Sequence, residues 1–123
     1  MKLDFESPAG TLSITAYAPG WIRVGDRRIE GPCVVEPNGV RLDLLPPNVE
    51  QFGAAEATML ADLGSDIVIL GTGAEQRFFD YALVGLLAER GVGLEIMDTG
   101  AACRSFNLLA AEGRAVVAAL YMI

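Results

Sequence analysis

Histidine is absent from all 123 residues of this chain. The side chain most often used as a general base near neutral pH is therefore missing. Ser-His-Asp and Cys-His catalysis within one chain is excluded, as is histidine-ligated zinc. Cysteine is scarce. Cys33 and Cys103 form no CxxC motif and are too few for a zinc cluster. A chain of this length builds a core without disulfide staples, so a reduced, cytoplasmic compartment is the simpler expectation. Basic charge is short as well, with 9 Lys and Arg against 16 Asp and Glu and a net charge of −7. The arginines are scattered. Only Arg27 and Arg28 adjoin, and Asp26 and Glu30 flank them. Nucleic acid needs a basic stripe, so it is not expected as a partner, nor is an anionic lipid surface. Long apolar runs are missing too. The longest, residues 115–123, is too short to span a bilayer. The opening residues, Met1 to Glu6, carry acids where a signal peptide has basic and then apolar residues.

What is present is apolar material, 52% of the chain, spread over short segments. The length fits one domain over residues 1–123. Residues 11–17 alternate apolar and polar, the period of a half-buried strand. Trp21 to Val24 continues as a strand, Gly25-Asp26 fits a two-residue hairpin turn, and Arg27 to Ile29 returns. Cys33 to Val35 is a short strand. Asn38-Gly39 marks a second hairpin, with Val40, Leu42 and Leu44 alternating behind it. After Pro46-Pro47 the period changes. Val49, Phe52, Met59, Leu60 and Leu63 predict a helix over 49–63, ended by Gly64.

Residues 66–70 form a β-branched run that predicts a strand buried on both faces. A helix over 75–90, a strand over 92–97, a helix over 99–112 and a strand over 115–121 follow. Gly91 and Gly113 sit where the two helices should end. Helices alternating with buried strands predict an α/β layer, and the hairpin-rich first part predicts a mixed sheet.

Three features bear on chemistry. Gly71-Thr72-Gly73 falls between strand and helix, where α/β folds bind anions and nucleotides. It departs from the dinucleotide fingerprint, because Gln76 takes the place of the third glycine, and it lacks the GK[ST] of a P-loop. A structural reading stands beside the ligand reading: Thr72 and Glu75 have capping-box spacing, and the glycines permit a tight turn. Cys103, near the start of the 99–112 helix and next to Arg104, is a thiolate candidate or a small core residue. Asn107, on the same face, needs a partner if buried: a neighbouring loop or a ligand. Asp98-Thr99 has the chemistry of that helix's N-cap. No two acids are spaced to argue for a paired-carboxylate site, so no catalytic residue, metal or cofactor is assigned.

Several stretches together resemble a known family. They are Met97-Asp98-Thr99, the run from Ala102 to Asn107, Leu109 and Glu112-Gly113-Arg114 before a terminal apolar strand. Leu70 to Gly73, Tyr17 to Ile22 with Val24, and Gly31 to Pro37 add to them. This pattern resembles the domain-of-unknown-function family that includes mitochondrial complex I assembly factors and uncharacterised bacterial and archaeal proteins. The resemblance implies a three-layer α/β fold, with a mixed central sheet of about five strands and an added N-terminal β-hairpin layer. It implies no catalytic residues. It implies protein partners, with a membrane-associated complex among the candidates, and leaves self-association open. The leading expectation is a non-enzymatic interaction or assembly factor. The alternative is a small-molecule binder or enzyme. Its anionic or nucleotide-like ligand would lie between the Gly71, Thr72, Gly73 turn and the helix start carrying Thr99, Cys103, Arg104 and Asn107.

Overall fold

The structure is a computed structural model that describes residues 10–123. The opening residues, read above for a targeting signal, lie outside the described residues. Among the described residues, eight strands fall into two sheets. The small one is an antiparallel meander of β1 (Ile14–Ala18), β2 (Trp21–Val24) and β3 (Arg27–Ile29). Gly25, at φ +58°, makes the expected turn between β2 and β3. The large sheet holds β4 (Cys33–Glu36), β5 (Gly39–Arg41), β6 (Ile67–Thr72), β7 (Gly93–Met97) and β8 (Val116–Tyr121), in the order β5-β4-β8-β6-β7. β4 runs antiparallel to β5 and β8, while β6 runs parallel to β7 and β8. The sheet is mixed, as expected.

Among the described residues three α-helices pack on it: α1 (Ala54–Ala61), α2 (Tyr81–Ala88) and α3 (Thr99–Ala111). From β6 the chain winds outward through α2 to β7, then back past β6 through α3 to β8. Right-handed crossovers in opposite directions place their helices on opposite faces. Each central strand accordingly feeds two cores. Val68, Leu70, Val117, Ala119 and Val34 join Leu60, Leu83 and Leu87 on the α1/α2 side. Ile69, Ala118, Leu120, Cys33 and Val35 join Ala102, Phe106 and Ala110 of α3 on the other. The small sheet completes that second core through Ile14, Tyr17, Ile22, Val24 and Ile29. Helices, sheet, and α3 with the added sheet make the three layers.

Five local expectations shift. The second hairpin turns on Pro37-Asn38, because Glu36 pairs with Gly39, which already belongs to the returning strand. That strand is short, and Leu42 is left exposed. The helix expected over 49–63 divides into a 3-10 turn (Val49–Gln51) and α1, because Phe52 is extended and Gly53 starts a new N-terminus. Residues 75–80 are not helical, and α2 begins only at Tyr81, capped by Asp80. β6 runs on through Gly71 and Thr72 instead of ending before them.

Candidate functional site

The carboxyl ends of β6, β7 and β8 are where parallel strands hand over to loops and helix starts, the place where α/β folds bind ligands. Gly71 is in β6, paired with Leu120 and Met97. A Cβ there would stand 3.0 Å from Leu120 Cδ2, 3.0 Å from Thr99 Oγ1 and 3.1 Å from Ala102 Cβ. Glycine is therefore the residue that lets the first turn of α3 lie directly on the strand. Gly73 turns the chain away at φ +103°, a left-handed conformation that favours glycine.

Thr99 locks this junction. Its Oγ1 accepts the Gly73 N–H at 2.8 Å and donates to the Tyr121 carbonyl at 2.6 Å. Its own N–H donates to the Gly73 carbonyl at 2.9 Å. Thr99 is fully buried. Three elements, β6, α3 and β8, are thus tied at one hydroxyl. Thr72 organises the next loop in the same manner. Its hydroxyl donates to the Glu75 carbonyl at 2.6 Å, accepts the Arg77 N–H at 3.1 Å and stands 3.2 Å from the Met97 carbonyl. The expected Thr72/Glu75 capping box is not formed, because no helix starts there. Asp98 does cap α3, accepting the Ala101 N–H at 2.9 Å.

Gly71, Thr72, Gly73 and Thr99 are brought together. Cys103, Arg104 and Asn107 lie further along α3 and face the small sheet. Cys103 is fully buried. Its thiol is pushed up to about 12, first by burial and then by Cys33 nearby, with Arg104 pulling the other way. That is the environment of an inert core thiol. Arg104 donates to the Tyr17 hydroxyl at 2.9 Å. Asn107 Oδ1 accepts the Ile14 N–H at 2.7 Å and its Nδ2 donates to the Ile14 carbonyl at 2.9 Å, so both ends of the amide pair with β1.

Sequence reasoning missed Gly100. A Cβ there would come within 2.8 Å of the Tyr17 hydroxyl. Its signal was its place two residues after an N-cap, flanked by small residues. Also missed were two surface depressions. A cleft of about 360 Å³ lies beside Gly73 and Ala74, walled by Pro47, Asn48 and Arg77, whose guanidinium pairs with Glu50 at 3.1 Å. A groove of about 420 Å³ runs between β7 and the segment from Gln76 to Val84. Phe78 and Tyr81 stand beside it, 91% and 86% exposed. The missed signal is the run from Gln76 to Tyr81, which interleaves aromatic with polar residues and leaves no purely polar face for a helix.

The molecule is thus a three-layer α/β domain whose β6–α3 junction is closed by its own backbone and a buried threonine, with the cleft of about 360 Å³ beside it at the ends of β6 and β8. Over residues 14–121 it matches, and belongs to, the family described as protein of unknown function (DUF498/DUF598). Among its relatives is NADH dehydrogenase [ubiquinone] 1 alpha subcomplex assembly factor 3 of Danio rerio, 30% identical over 94% of this chain and 66% of that protein. The chain therefore spans just under two-thirds of that relative's length. A protein of Bordetella parapertussis, known from a crystal structure, superposes with a TM-score of 0.83 at 35% identity, over 93% of this chain and 98% of the other. A Bordetella pertussis protein solved by NMR and described as a Mth938-like domain gives 0.79 at 29% identity, over 98% and 92%.

Proposed function

We propose that this chain is a non-enzymatic interaction protein that aids assembly of a membrane-associated, multisubunit NADH dehydrogenase. The observation that carries the reading is the closed junction at Thr99. In an α/β fold a ligand is held by backbone N–H groups at this end of the sheet. Here the Gly73 N–H is used by Thr99, and the space above Gly71 is filled by α3. The name of the Danio rerio relative supports an assembly role. The setting proposed is the cytoplasm, in keeping with two free, buried cysteines. No helix among the described residues is long and apolar enough to cross a membrane, so contact with such a complex would run through the protein surface.

The test is deletion of the gene in its own host, with assembled NADH dehydrogenase measured on native gels. The expected result is loss of the full-size complex and accumulation of subassemblies. An unchanged amount of complex overturns the reading. The rival, a small anionic or nucleotide-like ligand beside Gly73, draws on the 360 Å³ cleft and Arg77. It requires a thermal shift with nucleotides or phosphates that Arg77→Ala abolishes.

A further inference from the structure

β7 is an edge strand of the large sheet. Its Gly93 N–H donates to Asp66 on the β6 side at 2.9 Å. Backbone groups alternate along a strand, so residues 93, 95 and 97 face β6 while Leu94 and Ile96 present theirs outward. Among the described residues the one partner found on that open side is Gln76, whose Nε2 reaches the Ile96 carbonyl at 3.3 Å from an exposed side chain. A competing strand displaces such a contact easily. The edge borders the groove between β7 and α2, with Phe78 and Tyr81 beside it. Two large aromatic rings this exposed are unusual on a free surface, and aromatic anchors are what protein interfaces bury.

Charge identifies the occupant. Glu95 is exposed on the edge strand itself, Glu75 and Asp80 are exposed on the loop that supplies the groove's other wall, and none of the three joins an ion pair among the described residues. The single cation there, Arg77, is already paired with Glu50. The unpaired charge on the face is therefore all negative. A second copy of the same edge would set carboxylates against carboxylates, which is unfavourable. A basic strand meets the opposite situation. Period two adds a further constraint. Leu94 and Ile96 turn to the α2 side and Glu95 to the other face of the sheet.

Resting on the interaction-protein reading, we propose that β7 and the Phe78/Tyr81 groove accept an extended partner segment with alternating apolar and basic residues, added as a sixth strand. Its apolar side chains cover the rings of Phe78 and Tyr81, and its Lys or Arg side chains face Glu95. Backbone hydrogen bonds supply affinity and the alternation supplies specificity.

The test is selection of a random dodecapeptide display library on the full chain, followed by fluorescence polarisation with the enriched peptide. The expected peptides alternate apolar residues with Lys or Arg. Their affinity should fall about tenfold or more in Phe78→Ala/Tyr81→Ala and in Glu95→Lys. It should also weaken with added salt. All three substituted residues are exposed, and circular dichroism verifies that the fold is kept. No enrichment, enriched peptides without the alternation, or equal binding by both variants overturns the proposal. So does sedimentation showing that this face instead joins two copies. Failure here with complex assembly still dependent on the gene sinks this docking face alone. Failure of the deletion test sinks the assembly role and leaves the peptide result standing.

Discussion

Asn107 shows what a polar residue in the middle of an apolar helix face is for. Its amide mimics a neighbouring strand, giving one acceptor and one donor to the backbone of Ile14, a residue with no solvent exposure. Truncation leaves both backbone groups buried and unpaired. Asn107→Ala should therefore cost about 2–6 kcal/mol, from about 1–3 kcal/mol per orphaned group. Urea denaturation measures it, and a loss below about 0.5 kcal/mol would mean that water reaches β1 in the variant. The residue's need for a partner was legible in the sequence. That the partner is β1 was not, because 93 positions separate the two and nothing local encodes the pairing. The surroundings of Cys103 were hidden for a related reason. Its helix and its arginine neighbour were visible, but the burial that outweighs them comes from a core that α3 shares with both sheets.

Elements were legible where pattern and packing agree. Buried strands such as β6 and β8 read clearly as continuous apolar runs, and α3 read clearly from its cap and its final glycine. The segment from Gly73 to Asp80 did not, because helical spacing of Phe79 and Leu83 concealed a loop. Tertiary contacts decide there: Thr72 folds the loop back on itself, and Phe79 packs edge-on against Phe52, ring centres 6.2 Å apart. The junction of β6 with α3 was legible as two glycines but not as a closed contact. It gives a sharp test by paired substitutions of one chemistry. Gly71→Ala forces a methyl against Thr99 Oγ1, which is pinned by two hydrogen bonds, and should cost about 1–3 kcal/mol. Gly85→Ala, on the exposed side of α2 with open space around it, should gain about 0.5–1 kcal/mol. Equal effects at the two positions, read from thermal melts, would mean that the close approach of α3 to β6 is not tight.

At the scale of the molecule, the alkaline limb of stability depends on two thiols. Cys33 and Cys103 are both raised by burial from 9.0 to about 12. The folded chain thus holds these protons more tightly than the unfolded chain. Their contribution is complete below pH 9 and is lost as pH rises toward 12, at up to about 1.4 kcal/mol per pH unit for each thiol. Tyr121, raised from 10.0 to about 12 by burial and then by Glu56 and Glu50, adds in the same direction above pH 10. Lys2 is the chain's single lysine, so lysine titration does not mask the effect. Urea midpoints at pH 8, 9.5 and 11 should fall steadily, and less steeply in Cys33→Ala/Cys103→Ala. A flat profile would show the thiols ionising freely in the folded state.

The place of β8 has a consequence for synthesis. It lies between β4 and β6, yet follows both in the chain. While the ribosome is still making residues 116–121, the β4–β5 hairpin and the β6–β7 pair are two half-sheets with open apolar flanks and nothing between them. Closure must wait for the strand that arrives after all its neighbours. The large sheet therefore cannot close before β8 is made, and its closure is slowed by long-range pairing. For that interval its unpaired strand edges and apolar flanks are the kind of surface that invites aggregation.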